Sequence, residues 1–469
     1  MTFSSNYNQN KKDLSDALRI GDSFDLICKD TLVGGKNACI FFVDGFSKDE
    51  ILQKLLDGFY QIPSDGMPAD LSAFVTEQVP YIETELSTSI SETVTKILSG
   101  MCAFLIDGYD SALCLDTRTY PARGVDQPEK EKVLRGSRDG FVETIVFNTA
   151  LIRRRIRDQR LTMEMHSVGS VSHTDVVLCY MKDLVDQSLL ASVRQKLLHI
   201  QTRSLNMNQT SLAECLYDQH WYNPFPKFKY TERPDTSAAS IMEGSLVILV
   251  DNSPSAIILP TSLFGIMEEA DDYYFPPITG TYLRMTRFLI SIVTFFITPV
   301  FLLLTMYPEW IPDWLSFIRL SEFTNVPLMF QFLILEIAID GLRLAAVNTP
   351  GMLTTPLSIV AGLALGEYAV SSGWFNAEAI LYMSFVAVSN YTQPNYEFGY
   401  ALKFFRILTL ILTGFFGLWG LITGTIFLIL ALLSNKTIDG RRRYLYPLIP
   451  FNVKALKHQL LRLRRDEDS

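Results

Sequence analysis

Three ionisable residues lie inside one strongly apolar stretch, residues 327–350, and they are the first candidates for chemistry in this chain. Glu336, Asp340 and Arg343 stand at helical spacing, so a helix would place them on one face and its Leu, Ile and Phe residues on the others. A charge at the centre of a hydrocarbon core costs ~2.5–3.5 kcal/mol, so each side chain needs a partner, a hydrated cavity or an interface. Two explanations stay open: a structural ion pair between Asp340 and Arg343, or a polar pathway.

The rest of the sequence gives little support to catalysis. Residues 34–37, Gly-Gly-Lys-Asn, lack the spacing of a phosphate-binding loop and precede their strand, so a turn explains them better. The five histidines are scattered without metal-ligand spacing, and no nucleophile elbow or zinc-protease motif is present. We therefore expect a protein that is not an enzyme, with no catalytic residue, no metal and no cofactor.

Composition separates the 469-residue chain into two parts. Residues 1–280 are mixed and charged, whereas long apolar runs dominate from Phe288 to Leu433. That contrast predicts an α/β cytoplasmic domain followed by an all-α polytopic membrane domain. All six cysteines lie in the first part and none forms a CxxC pair, which is typical of reduced thiols in a cytosolic domain. The excess of acid over base, 50 against 41, argues against a nucleic-acid partner.

An internal repeat divides the first part of the chain. Residues 96–117 match residues 240–261 without gaps, at an offset of 144 and with eight identical pairs. Each copy ends in two apolar runs around a turn, and Asp107-Gly108 is a hairpin signal. We predict two related α/β subdomains. Because duplicated lobes commonly leave a cleft between them, a binding or signalling role is one hypothesis.

These observations give a plan of six parts. They are a flexible N-terminus (1–20), a first α/β subdomain (21–125), a connecting loop with an Arg-rich helix (126–161), a second α/β subdomain (162–283), a transmembrane domain (284–434) and a basic cytoplasmic tail (435–469).

The helix between the lobes carries a cluster of cations. Asp139 is a candidate N-cap for a helix that begins near Phe141. Its end collects four arginines at the negative end of the helix dipole: Arg153, Arg154, Arg155 and Arg157. A solvated helix end is the ordinary explanation. Beside a membrane domain, contacts with acidic headgroups or a neighbouring subunit are the alternatives.

Five apolar segments follow, at residues 288–306, 327–350, 357–370, 380–389 and 407–433. The fourth is shorter than the ~20 residues that a span needs, and the fifth is long enough to cross with tilt. Arg284 and Arg287 precede the first segment, and nine Lys/Arg against one acid lie between residues 436 and 465. The positive-inside rule then places both ends in the cytoplasm. An even number of crossings is required, so either the fourth segment or the charged second segment would not span.

Small residues mark candidate helix contacts in the third and fifth segments: Gly362, Gly366, Gly420 and Gly424. Packing within one subunit and packing between subunits both stay open.

Four stretches carry a resemblance to a known family. Residues 135–158 (RGSRDGFVETIVFNTALIRRRIRD), 230–235 (YTERPD), 250–262 (VDNSPSAIILPTS) and 358–370 (SIVAGLALGEYAV) resemble the A-subunit family of bacterial spore germinant receptors, the GerA type. The similarity extends from about residue 25 to 455. The acids followed by Leu-Arg in the family pattern match Glu336, Asp340 and Leu342-Arg343, whereas Glu367 stands where an amide is expected.

The resemblance implies a protein of the spore inner membrane with both termini on the cytoplasmic, spore-core side. It implies a ring-like homo-oligomer that conducts cations early in germination and works with other germination membrane proteins. Our leading hypothesis is thus an oligomeric cation channel or an ion-release signal amplifier, with Glu336, Asp340, Arg343 and Glu367 as candidate ion-path residues. The alternatives are a secondary transporter subunit, for which no inverted repeat is visible, and a non-conducting membrane scaffold.

Overall fold

The structure, a computed structural model, describes residues 2–47, 49–79, 81, 83–117, 131, 133–217, 222–320, 324–348, 362, 366, 368–438 and 440–462. The chain forms two compact units. The lobe unit comprises Met1–Asp218 and Phe228–Pro260, and the helical unit comprises Gln219–Lys227 and Thr261–Ser469. The division falls earlier than the predicted boundary at residue 283, because the chain after Pro260 packs with the helices.

The first lobe is a five-stranded antiparallel sheet with the strand order β1-β2-β4-β5-β3. Apolar side chains of β4 are buried on both faces of this sheet, which explains why its sequence is a continuous apolar run. Its elements are α1 (Tyr7–Leu18), β1 (Leu26–Val33), β2 (Lys36–Val43), α2 (Asp49–Tyr60), α3 (Leu71–Gln78), β3 (Thr84–Ser87), α4 (Ile90–Leu98), β4 (Cys102–Ile106) and β5 (Ala112–Leu115).

The second lobe repeats this design, with the antiparallel strand order β6-β7-β9-β10-β8. Its elements are α5 (Ile145–Arg155), β6 (Leu161–Val168), β7 (Thr174–Met181), α6 (Gln187–Leu198), α7 (Asn208–Leu216), β8 (Lys229–Thr231), α8 (Pro234–Met242), β9 (Leu246–Val250) and β10 (Ala256–Leu259). The bounds of α8, β9 and β10 equal those of α4, β4 and β5 displaced by 144 residues. The predicted duplication is therefore confirmed, and the predicted Asp-Gly turn joins β4 to β5 with Gly108 at φ +92°.

Two local predictions in the lobe unit are wrong. The N-terminus is not loosely attached, because α1 places Leu14 and Leu18, spaced i, i+4, fully inside the first lobe's core. Asp139 does not cap a helix at Phe141, because α5 begins at Ile145 after Thr144. The polar composition of the N-terminus suggested a loose segment, but its two buried leucines anchor it. Asp139 had the sequence position of a helix cap, but it binds Arg155 instead.

The helical unit contains two helices long and apolar enough to cross a membrane, Pro277–Met306 and Tyr396–Phe416, and a shorter apolar helix, Leu418–Ser434, within the described part of the chain. Its elements are α9 (Leu263–Ile266), α10 (Asp271–Tyr274), α11 (Pro277–Met306), α12 (Leu328–Asn348), α13 (Tyr368–Ser371), α14 (Ala377–Tyr391), α15 (Tyr396–Phe416), α16 (Leu418–Ser434) and α17 (Val453–Leu460).

The fifth apolar segment is a helical hairpin, so the prediction of one tilted span is wrong. Gly417 ends α15 and begins α16 with φ +57° and ψ −131°, a conformation that side chains disfavour. The two helices then pack so closely that a Cβ at Gly420 would lie 1.9 Å from the Leu412 carbonyl oxygen, and one at Gly424 would lie 2.3 Å from Thr409 Oγ1. These two glycines therefore lie at a contact within one subunit.

Helices α12 and α14 run in the same direction through the bundle. Near their beginnings, the Gln331 side chain accepts a hydrogen bond from the Asn376 backbone at 2.8 Å. Near their ends, Arg343 lies 5.8 Å from the ring of Tyr391. The end of α12 and the beginning of α14 therefore lie at opposite ends of the bundle.

The glycine contact predicts a sharp difference between two Gly→Ala variants. Gly420→Ala has no space for its methyl group and should lower the free energy of unfolding by about 3 kcal/mol. Gly341→Ala, on a face of α12 with no heavy atom within 4 Å of the added Cβ, should be neutral or stabilising by up to about 1 kcal/mol. Thermal unfolding of detergent-purified protein measures both. Equal stability of the two variants would contradict the hairpin contact.

Candidate functional site: a buried charge cluster

Glu336 is the centre of the candidate site. It lies on α12 with only 3% of its surface exposed. Its carboxylate accepts hydrogen bonds from Arg406 Nε at 2.9 Å and Nη2 at 2.5 Å, and Lys403 Nζ lies 3.2 Å from its other oxygen. Two cations from α15 thus satisfy one buried acid on α12, the condition under which a charge is tolerated in an apolar bundle.

Asp340 completes the cluster one turn further along α12. Lys403 donates a hydrogen bond to its carboxylate as well, so two acids and two bases form a neutral group. The members differ in exposure, because the side chains of Lys403 and Arg406 are 5% and 0% exposed whereas that of Asp340 is 37% exposed. We call these four residues, Glu336, Asp340, Lys403 and Arg406, the charge cluster. Asp340 is the member of the charge cluster whose side chain is most exposed.

Arg343 does not pair with Asp340, so the simple ion pair considered from the sequence is absent. Its guanidinium carbon lies 4.9 Å from the ring centroid of Tyr396, 5.1 Å from that of Tyr400 and 5.8 Å from that of Tyr391. Aromatic ring faces attract cations at such distances. The three ionisable residues of α12 therefore divide into two environments, a charge cluster and a tyrosine cage.

Sequence reasoning missed Lys403 and Arg406. The predicted fifth segment began at residue 407, which left both cations outside it, and partners 63 to 70 residues away are invisible to local spacing. A signal was present nonetheless. Lys403 and Arg406 stand at i, i+3 in an apolar run, so a helix places both cations on one face. Two acids at i, i+4 on another helix, Glu336 and Asp340, form a matching face of opposite charge.

Arg284 and Arg287, which served as positive-inside markers, are also buried in ion pairs. Arg284 Nε lies 3.4 Å from Asp272 and its Nη2 lies 3.2 Å from Glu268, and Arg287 donates to Asp272 as well. Arg284 Nη1 further donates to the backbone carbonyls of His458 and Gln459 at 3.1 and 3.0 Å. These contacts fix the base of α11 to the end of α17.

Further polar pairs lie between the helices. Ser291 of α11 and Gln393, which precedes α15, are both buried and exchange hydrogen bonds at 3.0 to 3.2 Å. At the other end of the bundle, Gln331 Nε2 donates to Asn376 Oδ1 at 2.7 Å and to Thr324 Oγ1 at 2.6 Å. Polar groups thus occur on both sides of the charge cluster along the bundle.

The arginines at the end of α5 separate into two groups. Arg153 is fully buried and donates to Asp25 from Nε at 2.9 Å and from Nη2 at 3.1 Å, so a headgroup or subunit contact is wrong for this residue. Arg155 donates to Asp139 at 2.5 and 2.6 Å. Burial raises the pKa of Asp139, but hydrogen bonds from Arg155 and Ser137 lower it further, below its usual value.

Arg154 and Arg157 are exposed, and the predicted surface role stays a prediction for them. Arg157 also borders an open cleft of about 470 Å³ between the two lobes. Residues of α1, α4 and the 157–160 loop line this cleft: Ala17, Ile90, Ser91, Val94, Thr95, Leu98, Arg157, Asp158, Gln159 and Arg160. The cleft anticipated from the duplication is present, and its ligand stays a hypothesis.

The remaining candidates lie in the third segment. Among the described residues, a Cβ at Gly362 or Gly366 would meet no heavy atom within 4 Å, and packing of these glycines between subunits stays a prediction. Glu367 lies outside the described residues.

The chain thus combines a duplicated α/β domain with a helical bundle that holds two candidate membrane spans and a buried charge cluster. The chain belongs to the Bacillus/Clostridium GerA spore germination protein family, whose model matches residues 14–468. It is 36% identical to the stage V sporulation protein AF of Bacillus subtilis (strain 168), over 97% of this chain and 92% of that protein. It is also 26% identical to the spore germination protein KA of the same organism, over 95% of this chain and 82% of that protein.

Among solved structures, the chain is similar to the N-terminal domain of the A subunit of the Bacillus megaterium spore germinant receptor GerK3. The match covers 55% of this chain and 96% of that domain, with a TM-score of 0.42 and 22% identity. Family membership supports a role in spore germination, and together with the apolar helices it supports a membrane location.

Glu336 is buried and Asp340 is partly exposed, so we expect neutralisation of Glu336 to lower the stability of the protein more than neutralisation of Asp340. Glu336→Gln leaves the buried Arg406 without a counter-charge and should cost about 3–5 kcal/mol of stability. Asp340→Asn, at the exposed edge, should cost about 1 kcal/mol or less. Thermal unfolding of purified protein measures both.

A double variant, Glu336→Met with Arg406→Met, removes both charges of the buried pair and leaves Lys403 paired with Asp340. It should recover most of the loss caused by Glu336→Gln. A double variant less stable than Glu336→Gln, or an Asp340→Asn variant as damaged as Glu336→Gln, would contradict this account of the cluster.

Proposed function

We propose that this chain is a membrane subunit of spore germination that assembles into an oligomeric cation channel or ion-release amplifier. Its place is the spore inner membrane, with both termini on the spore-core side. The observation that carries the proposal is the charge cluster, a polar group between apolar helices whose partly exposed member is an acid. Acidic side chains beside a permeation path favour cations over anions.

The residues of α12 have different roles in this proposal. Glu336 is enclosed by Lys403 and Arg406, so it holds α12 against α15 and does not meet ions directly. Asp340 is partly exposed and supplies the negative charge. The exposed face beside it is an apolar stripe at helical spacing that faces lipid or a neighbouring subunit: Phe330, Ile334, Ile337 and Leu344.

Six passes through the membrane would satisfy two termini on one side. In our proposal helices α11, α12, α14, α15 and α16 supply five of these passes. The predicted third segment lies mostly outside the described residues, and its crossing stays a prediction. The division of the fifth apolar segment into α15 and α16 at Gly417 makes an even number of passes compatible with the five apolar segments of the sequence.

A short stretch of chain, residues 222–227, links the two units mechanically in our proposal. The chain leaves the lobe unit after α7, packs in the helical unit, and returns to the lobe unit at β8. Within the helical unit, Phe225 is fully buried and stacks on Phe405 with ring centroids 5.6 Å apart. Phe405 directly precedes Arg406 of the charge cluster. A displacement of this stretch would therefore act on α15 beside the cluster.

The two residues that flank Phe225 by two positions hold the stretch in place. Asn223 Nδ2 donates to Asn435 Oδ1 at 2.7 Å and to the Ala431 carbonyl, in the last turn of α16, at 3.3 Å. Lys227 donates to the same Asn435 side chain, and burial lowers the pKa of Lys227 to about 8. The stretch is thus bound to the end of α16 as well as to α15.

If Asp340 selects cations, its neutralisation should slow ion release without lowering the amount of protein in the spore. Spores that carry Asp340→Asn should release potassium more slowly than wild-type spores while protein abundance stays normal. Glu309→Gln, which neutralises an exposed acid in the loop after α11, is the matched control and should release potassium normally. Wild-type release from Asp340→Asn spores would remove this carboxylate from the conduction path.

If residues 222–227 couple the two units, a change at Phe225 should delay potassium release without destabilising the protein. Phe225→Leu keeps an apolar side chain but loses the stacked ring, so potassium release should lag behind the germination trigger in spores with normal protein levels. Tyr222→Ala changes a side chain that is 62% exposed and should leave the response unchanged. A normal response from Phe225→Leu spores, or an equal delay in both variants, would rule out coupling through Phe225.

A further inference from the structure

The chain after the last apolar helix presents a row of exposed apolar side chains. Leu448 and Ile449 are 44% and 46% exposed, Phe451 is 68% exposed and Val453 is 60% exposed. The row precedes and begins α17, a helix that buries none of its residues. We call residues 445–460 the tail segment. A row of this kind on a fixed surface calls for a partner.

The tail segment is held at both ends, so this row is not a loose terminus. Before it, Tyr444 is 2% exposed and its carbonyl accepts a hydrogen bond from the Leu263 backbone at 2.8 Å. At its end, Arg284 binds the carbonyls of His458 and Gln459, and the Arg462 backbone donates to Thr281 Oγ1 at 3.0 Å. Both ends are thus fixed within the helical unit, the second against the base of α11.

The contact with Arg284 gives the position of the end of α17 along the axis of α11. Arg284 lies four residues before Phe288, where the apolar run of α11 begins. At a rise of ~1.5 Å per residue, the end of α17 lies ~6 Å along the axis from the start of that run. Amphipathic interfacial segments bury their apolar side chains to ~5–10 Å in the headgroup and acyl boundary. With α11 crossing the bilayer, the end of α17 therefore lies at the level of the lipid headgroups.

Charge points to the kind of lipid. Exposed cations stand on and just before the tail segment: Arg442, Arg443, Lys454 and Lys457. No Asp or Glu occurs from Gly440 to Arg462. Each Lys or Arg near an anionic bilayer surface favours binding by a factor of about five. A two-fold contact between two copies of the segment would instead bring like charges together.

We propose that the tail segment binds the surface of an anionic phospholipid bilayer, with Leu448, Ile449, Phe451 and Val453 inserted at the acyl boundary and the nearby lysines and arginines against the phosphates. The segment then anchors the end of α17, and through Arg284 the base of α11, to the lipid surface. This inference requires the membrane location but not ion conduction.

The test uses the full-length protein in nanodiscs. An environment-sensitive nitrobenzoxadiazole probe is placed on Phe451→Cys, after the two cysteines that are not buried, Cys28 and Cys215, are replaced by serine. Discs contain either phosphatidylcholine alone or a mixture with phosphatidylglycerol, each with and without a lipid spin-labelled near its headgroup. The matched control carries the same probe on Glu77→Cys, at an exposed position of α3.

The expected result is a shift of the emission from position 451 to shorter wavelength and quenching by the spin-labelled lipid, both larger with phosphatidylglycerol. Position 77 should show neither change. Lys454→Gln with Lys457→Gln should reduce the dependence on phosphatidylglycerol. Emission typical of water in both lipids would overturn the proposal. A shift without quenching would also overturn it, since the probe would then be covered by protein.

Discussion

The pairing of acids on α12 with bases on α15 is the interaction on which the helical unit depends. Arg406 and Lys403 supply the counter-charges that a buried Glu336 carboxylate needs, and Glu336 and Asp340 do the same for those cations. The cluster therefore fixes which faces of α12 and α15 meet. Because it is neutral and enclosed except at Asp340, it also decides which of its members remain available for function.

Other parts of the unit provide the close packing around this cluster. The break at Gly417 returns the chain so that Gly420 and Gly424 bring α16 against α15. Phe405, one turn before Thr409 on the same stripe of α15, stacks on Phe225, which belongs to a stretch whose neighbours in sequence lie in the lobe unit. Helix α15 thus contacts α16, the linking stretch and, through the charge cluster, α12.

Some of this organisation could be predicted because it depends on residue types and their spacing within short stretches of sequence. The duplicated lobes followed from Gly100/Gly244 and Asp107/Asp251, since a strand–turn–strand needs the same residue types at the same positions in both copies. The charges of α12 were conspicuous because apolar helices rarely carry them. Both inferences need only residue spacing.

The rest depends on contacts between distant parts of the chain. The partner of Asp340 could not be chosen from spacing, which favoured Arg343, because Lys403 arrives from another helix. The hairpin at Gly417 lies within a continuous apolar run, where composition gives no sign of a turn. Arg153 has the sequence context of a surface cation, yet its position opposite Asp25 buries it completely.

Cation conduction by the assembled protein is the part of our proposal that one measurement can test. Its most direct test is the current carried by purified full-length oligomer in a planar bilayer between unequal potassium chloride solutions. A cation channel should carry a current whose reversal potential lies near that for potassium. Absence of current from correctly folded oligomer, or a reversal potential near that for chloride, would contradict it.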